Sequence, residues 1–330
     1  MSKFSKVGVI GSGSWATALV KIFSENDTEV LWFVKNPRAL KFIKSHGKNP
    51  KYLTTVKLDL DRISVYDDIN FIANNCEVFI LAIPSQYLEE SFTGLSVPIS
   101  KKIIFSGIKG IVPQHFLVTE YLNKKYKVPI NQLGVISGPC HAEEVAVKKL
   151  SFLTLGCSEL KIGKKIKENL TCSYISVELS EDRIGIELTG ILKNIYSIAI
   201  GMVNGLGYGD NFTSTFFSFC YQEMKNIIHV MSENYGDINE SVYLGDLLVT
   251  SYSSFSRNRK LGIMIGEGLS VSAAKNKMTM IAEGYYSSKF FKNKITSASI
   301  DAPIINLVYK VLHEEKPLKV YLQNFINQKI

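Results

Sequence analysis

At 330 residues the chain is too long for one ordinary hydrophobic core and long enough for two domains. Its 46% hydrophobic and 21% charged residues are those of a globular protein, and a net charge of +8 without a reading module or aromatic platform argues against nucleic acid. The five cysteines, Cys76, Cys140, Cys157, Cys172 and Cys220, are odd in number and widely spaced with no CxxC pair, which argues against a disulfide framework or zinc site and for reduced thiols in a cytoplasm.

The N-terminus, MSKFSKVGVIG, has no apolar run of the signal-peptide kind and leads into a buried strand, Val7–Ile10. Gly11-Ser-Gly-Ser-Trp-Ala16 follows directly, ahead of a helical pattern over Thr17–Asn26. This is GxGxxA between strand and helix, the setting in which the pattern signals a dinucleotide site. Gly11 permits the tight turn, Gly13 lets a pyrophosphate approach the backbone, and Ala16 lets helix and strand pack closely. The free N–H groups of the helix start then face the phosphate charge.

After the next strand, Glu29–Phe33, an NAD site usually carries an acidic residue for the ribose. Here stand Val34, Lys35, Asn36 and then Arg38, cations that suit a 2′-phosphate, so the reading leans to NADPH over NADH. Further strands at Ile63–Tyr66, Val78–Ala82, Ile103–Ser106, Gly134–Ser137, Phe152–Gly156 and Tyr174–Leu179 alternate with helical patterns, predicting a mainly parallel sheet covered on both faces. Ligands bind beyond the C-terminal ends of such strands. Three loops lie there: Pro84-Ser85-Gln86, Gly107-Ile-Lys109-Gly110, and Ser137-Gly-Pro-Cys-His-Ala142 at the start of a helix over His141–Lys148. Cys140 and His141 invite a nucleophile and base, but adjacent residues at a helix start rarely face each other. The lysines of Lys161–Lys167 read as a solvated helix face.

From Arg183 the strands stop, which places a domain boundary near Ser180: residues 1–180 a Rossmann-type domain, 181–330 an all-helical one. The stretch Arg183–Asn211 is a long helix with a glycine-rich exit. Ile184, Leu188, Ile191, Leu192, Ile195, Ile198, Ala199 and Met202 give it a broad buried face, with one lysine, Lys193, in the middle. Its apolar run Ile195–Val203 is too short to cross a bilayer. A helix over Thr213 to about Tyr235 follows. Asp246 then sits in an apolar stretch, where an unpaired ion is costly; either Lys193 pairs with it or it caps its own helix. Ser256-Arg-Asn-Arg-Lys260 groups phosphate-binding side chains before a glycine-rich turn, LGIMIGEG.

These residues together resemble one family, the bacterial-type NAD(P)-dependent sn-glycerol-3-phosphate dehydrogenases. GSGSWATAL, the glycine-flanked Lys109, SGPCHAEEVA, ELTGILKNIYSIAIGMVNGLGYGDN, GDLLVT, SRNRKLG and AEGY occur in that family's order and spacing, over nearly the whole chain. The resemblance implies an N-terminal Rossmann-type domain and a helical domain like the C-terminal part of 6-phosphogluconate dehydrogenase. It implies reversible reduction of dihydroxyacetone phosphate by NADH or NADPH for glycerophospholipid synthesis, in a cytoplasmic protein expected to form a homodimer, without metal or membrane insertion. By position, Ser14, Trp15, Lys35, Ala142, Ile281 and Glu283 match cofactor contacts, and Lys109 a lysine near cofactor and substrate. Gly138 and Cys140 match the loop beside substrate. Lys193 matches the proton-transfer lysine, with Asn194, Asp246 and Thr250 its neighbours. Ser256, Arg257 and Asn258 match the phosphate cluster, Arg257 also reaching the cofactor. Cys140 stands where the family usually has Ser or Thr and His141 where it usually has an aromatic; a thiol is the weaker hydrogen-bond donor. A 3-hydroxy-acid dehydrogenase of the same plan, or a non-catalytic NADP-binding sensor, are the alternatives.

Overall fold

The computed structural model describes residues 3–113, 117–278, 280 and 282–329. Its sheet comprises β1 (Lys6–Ile10), β2 (Glu29–Phe33), β3 (Ile63–Tyr66), β4 (Val78–Leu81), β5 (Ile103–Ser106), β6 (Leu133–Ser137), β7 (Ser151–Cys157) and β8 (Ile175–Ser180). The order is β3-β2-β1-β4-β5-β6-β7-β8. Every neighbouring pair is parallel except β6 and β7. The strands lie within a residue or two of their sequence-based limits. All residues of β4, β5 and β6 are buried, as continuous apolar runs in a doubly covered sheet must be. The chain adds strands outward from β1 to β3, then returns to β4 on the other side of β1. That reversal opens a crevice between β1 and β4 at the C-terminal edge of the sheet.

Beyond β8 the chain is helical. The long helix runs Arg183–Gly205, shorter than the predicted stretch, and the next spans Asp210–Met231. Asp182 caps the first: its carboxylate accepts Gly185 N–H at 2.7 Å and the hydroxyls of Ser232 and Tyr243 at 2.6 and 2.5 Å. The whole helix, rather than its most apolar run, is long and apolar enough to cross a membrane, yet its apolar window is completely buried inside the protein. It is the axis of a large helical core that includes Phe216, Met224, Leu261, Phe291 and Val308.

One expectation fails in part here. LGIMIGEG is only in part a turn: Leu261–Gly266 belongs to the helix Arg257–Gly266, which crosses the long helix at backbone contact, and the turn is confined to Glu267-Gly268. A methyl group at Gly201, Gly205, Gly262 or Gly266 would collide with a backbone carbonyl of the opposing helix. Glycine costs a helix about 1 kcal/mol relative to alanine, and close packing of the two backbones offsets that cost. The crossing brings the start of the Arg257 helix beside the middle of the long one.

Candidate active site

Lys193 lies on the long helix, 5% exposed, and donates to Oδ1 of Asp246, which is 0% exposed. Asp246 does not cap its helix; it is that helix's first residue, preceded by a π-turn at Ser241–Gly245, and its side chain points across to the lysine. Its other oxygen, Oδ2, lies 3.6 Å from Lys109 Nζ and accepts the Ser137 hydroxyl at 3.4 Å. Lys109 comes from the loop after β5 and Ser137 ends β6, so one buried carboxylate draws groups from both halves. Burial pulls the Lys193 ammonium down, and Lys109 adds to this against the pull of Asp246, leaving it at about 8. For Lys109 burial acts downward too but is outweighed, chiefly by Asp246, so its pKa is raised.

Around this cluster runs a chain of amides. Asn194 donates to the carbonyls of Lys109 at 2.9 Å and Gly190 at 3.1 Å. Asn258 donates to Asn194 Oδ1 at 2.8 Å and accepts Gly284 N–H at 3.0 Å. Backbone groups at both ends dictate which way each side-chain amide faces. Thus Asn258 is held inside the protein by bonds at both ends of its amide. Ser256 is also committed: its hydroxyl caps the helix through Arg259 N at 3.2 Å and meets Ser197 at 3.0 Å. Thr250 donates back to the Asp246 carbonyl at 2.7 Å. These polar groups are buried, and a helix start and buried backbone carbonyls supply the hydrogen bonds that burial demands. Arg257 is the exposed member of its trio.

The loop Gly138–Ala142 borders the cluster. Gly138 has φ +124°, and Cys140 donates through its thiol to the Gly138 carbonyl at 3.4 Å. Burial pushes the Cys140 thiol up, with Lys109 pulling it back less strongly, while burial and then the two lysines pull His141 down. Neither is an activated nucleophile nor its base. His141 precedes the short helix Ala142–Ala146 and its ring lies 5.9 Å from that of Phe255.

At the crevice, Gly11 has φ +122° and packs on the Ala82 backbone, so a side chain there would collide with it. Gly13 precedes the helix Ser14–Glu25 without a side-chain cap, and a Cβ built on it meets nothing within 4 Å. The helix start is therefore open and its N–H groups are uncapped by any side chain. The buried indole N–H of Trp15 has no partner and faces Gly107. Lys35 follows β2, exposed and 2.6 Å from Glu90; Arg38 is exposed beyond it, and Asn36 caps the next helix through Ala39 N at 3.0 Å. Glu283 accepts from Ser85 N–H at 3.2 Å and from its hydroxyl at 3.0 Å, its carboxyl raised by burial against those bonds and Arg257. Ile281 lies outside the described residues. Ser137 and Ser85 belong to loops that the sequence marks by their place after a strand, but sequence reasoning gave neither side chain a role of its own.

With this geometry in hand, two family models match the chain: the N-terminus of NAD-dependent glycerol-3-phosphate dehydrogenase over residues 6–162 and its C-terminus over 182–323. The chain belongs to the NAD-dependent glycerol-3-phosphate dehydrogenase family. A glycerol-3-phosphate dehydrogenase [NAD(P)+] of Staphylococcus haemolyticus is 34% identical over 96% of each chain. The glycerol-3-phosphate dehydrogenase structure from Coxiella burnetii superposes with a TM-score of 0.91 at 25% identity, covering 98% of this chain and 99% of that one. The one from Saccharomyces cerevisiae, at 24% identity, shares the fold with a TM-score of 0.83 over 97% and 98%. Within this family's two-part plan, the first match covers β1 to β7 and the second begins at Asp182, the cap of the helix that carries Lys193. The resemblance read from the motifs therefore holds, and the 3-hydroxy-acid dehydrogenase and sensor alternatives are set aside.

Proposed function

We propose that this chain is an oxidoreductase that reversibly reduces dihydroxyacetone phosphate to sn-glycerol 3-phosphate with NADH or NADPH. The observation that carries the reading is the buried Lys193–Asp246 pair with half-buried Lys109 beside it, at the C-terminal edge of the sheet, on a chain of this family. The crevice residues fit a dinucleotide: an open, uncapped helix start at Gly13 and an unpartnered indole N–H at Trp15 are groups that an anionic, hydrogen-bonding ligand would satisfy. Gly11, Gly13, Ser14, Trp15, Lys35, Ala142, Arg257 and Glu283 would hold it, and when bound it supplies the hydride.

Reduction of a ketone puts negative charge on its oxygen. Lys193 as ammonium stabilises that charge and gives it a proton; as the neutral amine it takes the proton back in the oxidation direction. With its pKa near 8, both forms are within reach close to neutrality. Asp246 holds the lysine in place, and Lys109 makes the proton easier to release. Arg257, exposed and near enough to Glu283 to act on its carboxyl, would take the substrate phosphate, converting remote binding energy into alignment of the carbonyl. Lys35 and Arg38 beyond β2, with no carboxylate in the stretch between them, support a preference for NADPH. The test is oxidation of NADH and NADPH, side by side, on adding dihydroxyacetone phosphate. Turnover with faster NADPH use is expected; no oxidation of either would overturn the reading.

A further inference from the structure

The loop Pro84-Ser85-Gln86 after β4 has no role in the reaction as described so far, yet Ser85 is 2% exposed and spends both its N–H and its hydroxyl on Glu283. Glu283 opens the helix Glu283–Ser297 of the helical half. Its neighbour Gly284 donates to Asn258, Asn258 to Asn194, and Asn194 to the carbonyl of Lys109. Lys109 then leads directly to Gly110, where a methyl group would collide with the Glu283 carboxylate and lie 2.5 Å from Ser85 Oγ. The path closes on itself. It joins the loops after β4 and β5, the helix of Lys193, the helix of Asn258 and the helix of Glu283 into one ring.

We propose that Ser85, through Glu283 and over Gly110, is a positioning residue that sets the spacing between the sheet loops and the helix carrying Lys193. This rests on the dehydrogenase reading. Hydride arrives from the sheet side and the proton from the helix side, so the separation of the two sides fixes whether both reach one carbonyl. A misplacement of about 1 Å can cost a rate of the order of a hundredfold. Ser85 touches neither reacting atom; it acts through the ring.

Two variants break the contact differently: Ser85→Ala removes the hydroxyl donor, and Gly110→Ala keeps every donor but forces the carboxylate away. For both, kcat with dihydroxyacetone phosphate should fall about tenfold or more, with the KM for dihydroxyacetone phosphate little changed. The primary deuterium isotope effect on kcat, read with NADPH deuterated at the transferred position, should rise as hydride transfer becomes slower. Loss of folded enzyme alone would lower kcat and leave the isotope effect where it was. An unchanged kcat in both variants, or a lowered kcat with an unchanged isotope effect, overturns the proposal. A wild-type enzyme inert towards dihydroxyacetone phosphate would instead overturn the dehydrogenase reading.

Discussion

The two walls of the site are built by opposite means. On the sheet side the crevice is made from backbone: Gly11 and Gly13 keep side chains away, and the helix start offers uncapped N–H groups. On the helix side charge is held by side chains, with Lys193 and Asp246 meeting from positions 53 residues apart, both almost wholly buried. A backbone site tolerates the loss of one contact, because its neighbours remain. A buried ion pair does not: breaking one by removing a partner costs about 3–5 kcal/mol, since the other charge is left uncompensated. The binding wall should therefore prove robust to single side-chain changes and the chemical wall fragile.

The sharpest contrast is Lys193→Ala. Turnover should drop by about a thousandfold or more, while the dissociation constant for NADPH, measured by fluorescence titration, stays near the wild-type value. Residual activity close to wild type would remove Lys193 from the chemistry. Next comes Asp246→Asn, which leaves the buried Lys193 and the half-buried Lys109 without a counter-charge. A rate loss of about a hundredfold is expected, with a lower melting temperature at neutral pH that recovers partly as pH rises and Lys193 loses its proton.

Arg257→Ala tests the rim between the walls: the KM for dihydroxyacetone phosphate should rise by about ten- to a hundredfold, with a smaller effect on kcat. In the wild-type enzyme, a lysine lowered to about 8 predicts opposite pH limbs. Oxidation of glycerol 3-phosphate, which needs the neutral amine, should fall as pH drops below about 8, and ketone reduction, which needs the ammonium, should fall above it. Because the two lysines share one carboxylate, the limb belongs to the cluster, and it should vanish in Lys193→Ala. The smallest effect is expected for Cys140→Ser, where a stronger donor beside the substrate loop should lower the KM a few-fold at most.

Much of this was legible before any coordinates. The strand–helix alternation, the glycine turn after β1 and the lysine-bearing apolar helix all depend on residues close in sequence. Lys109, Lys193 and Asp246 were named as candidates from their surroundings, but whether Asp246 paired or capped stayed open, because both uses put a carboxylate at a helix start. Asn258 and Ser256 show the converse. Their side chains suit a phosphate, and nothing in SRNRK says that they also bond Gly284, Asn194 and Ser197 within the protein. The glycines of LGIMIGEG predict a turn because glycine weakens an isolated helix; a second glycine-bearing helix packed against Leu261–Gly266 keeps that part helical and leaves the turn to Glu267-Gly268.

By itself, then, the sequence determined the order of elements, the open loop for a dinucleotide, the buried face of the Arg183–Gly205 helix and the identity of the charged residues. Each follows from local sterics or from a periodicity that a short window contains. The tertiary structure alone decided which charge meets which, which amides are already spent, and that Ser85 closes a ring through Glu283 to Lys109. Those outcomes depend on desolvation, and how dry a polar group becomes is set by residues that the chain brings in from tens or hundreds of positions away.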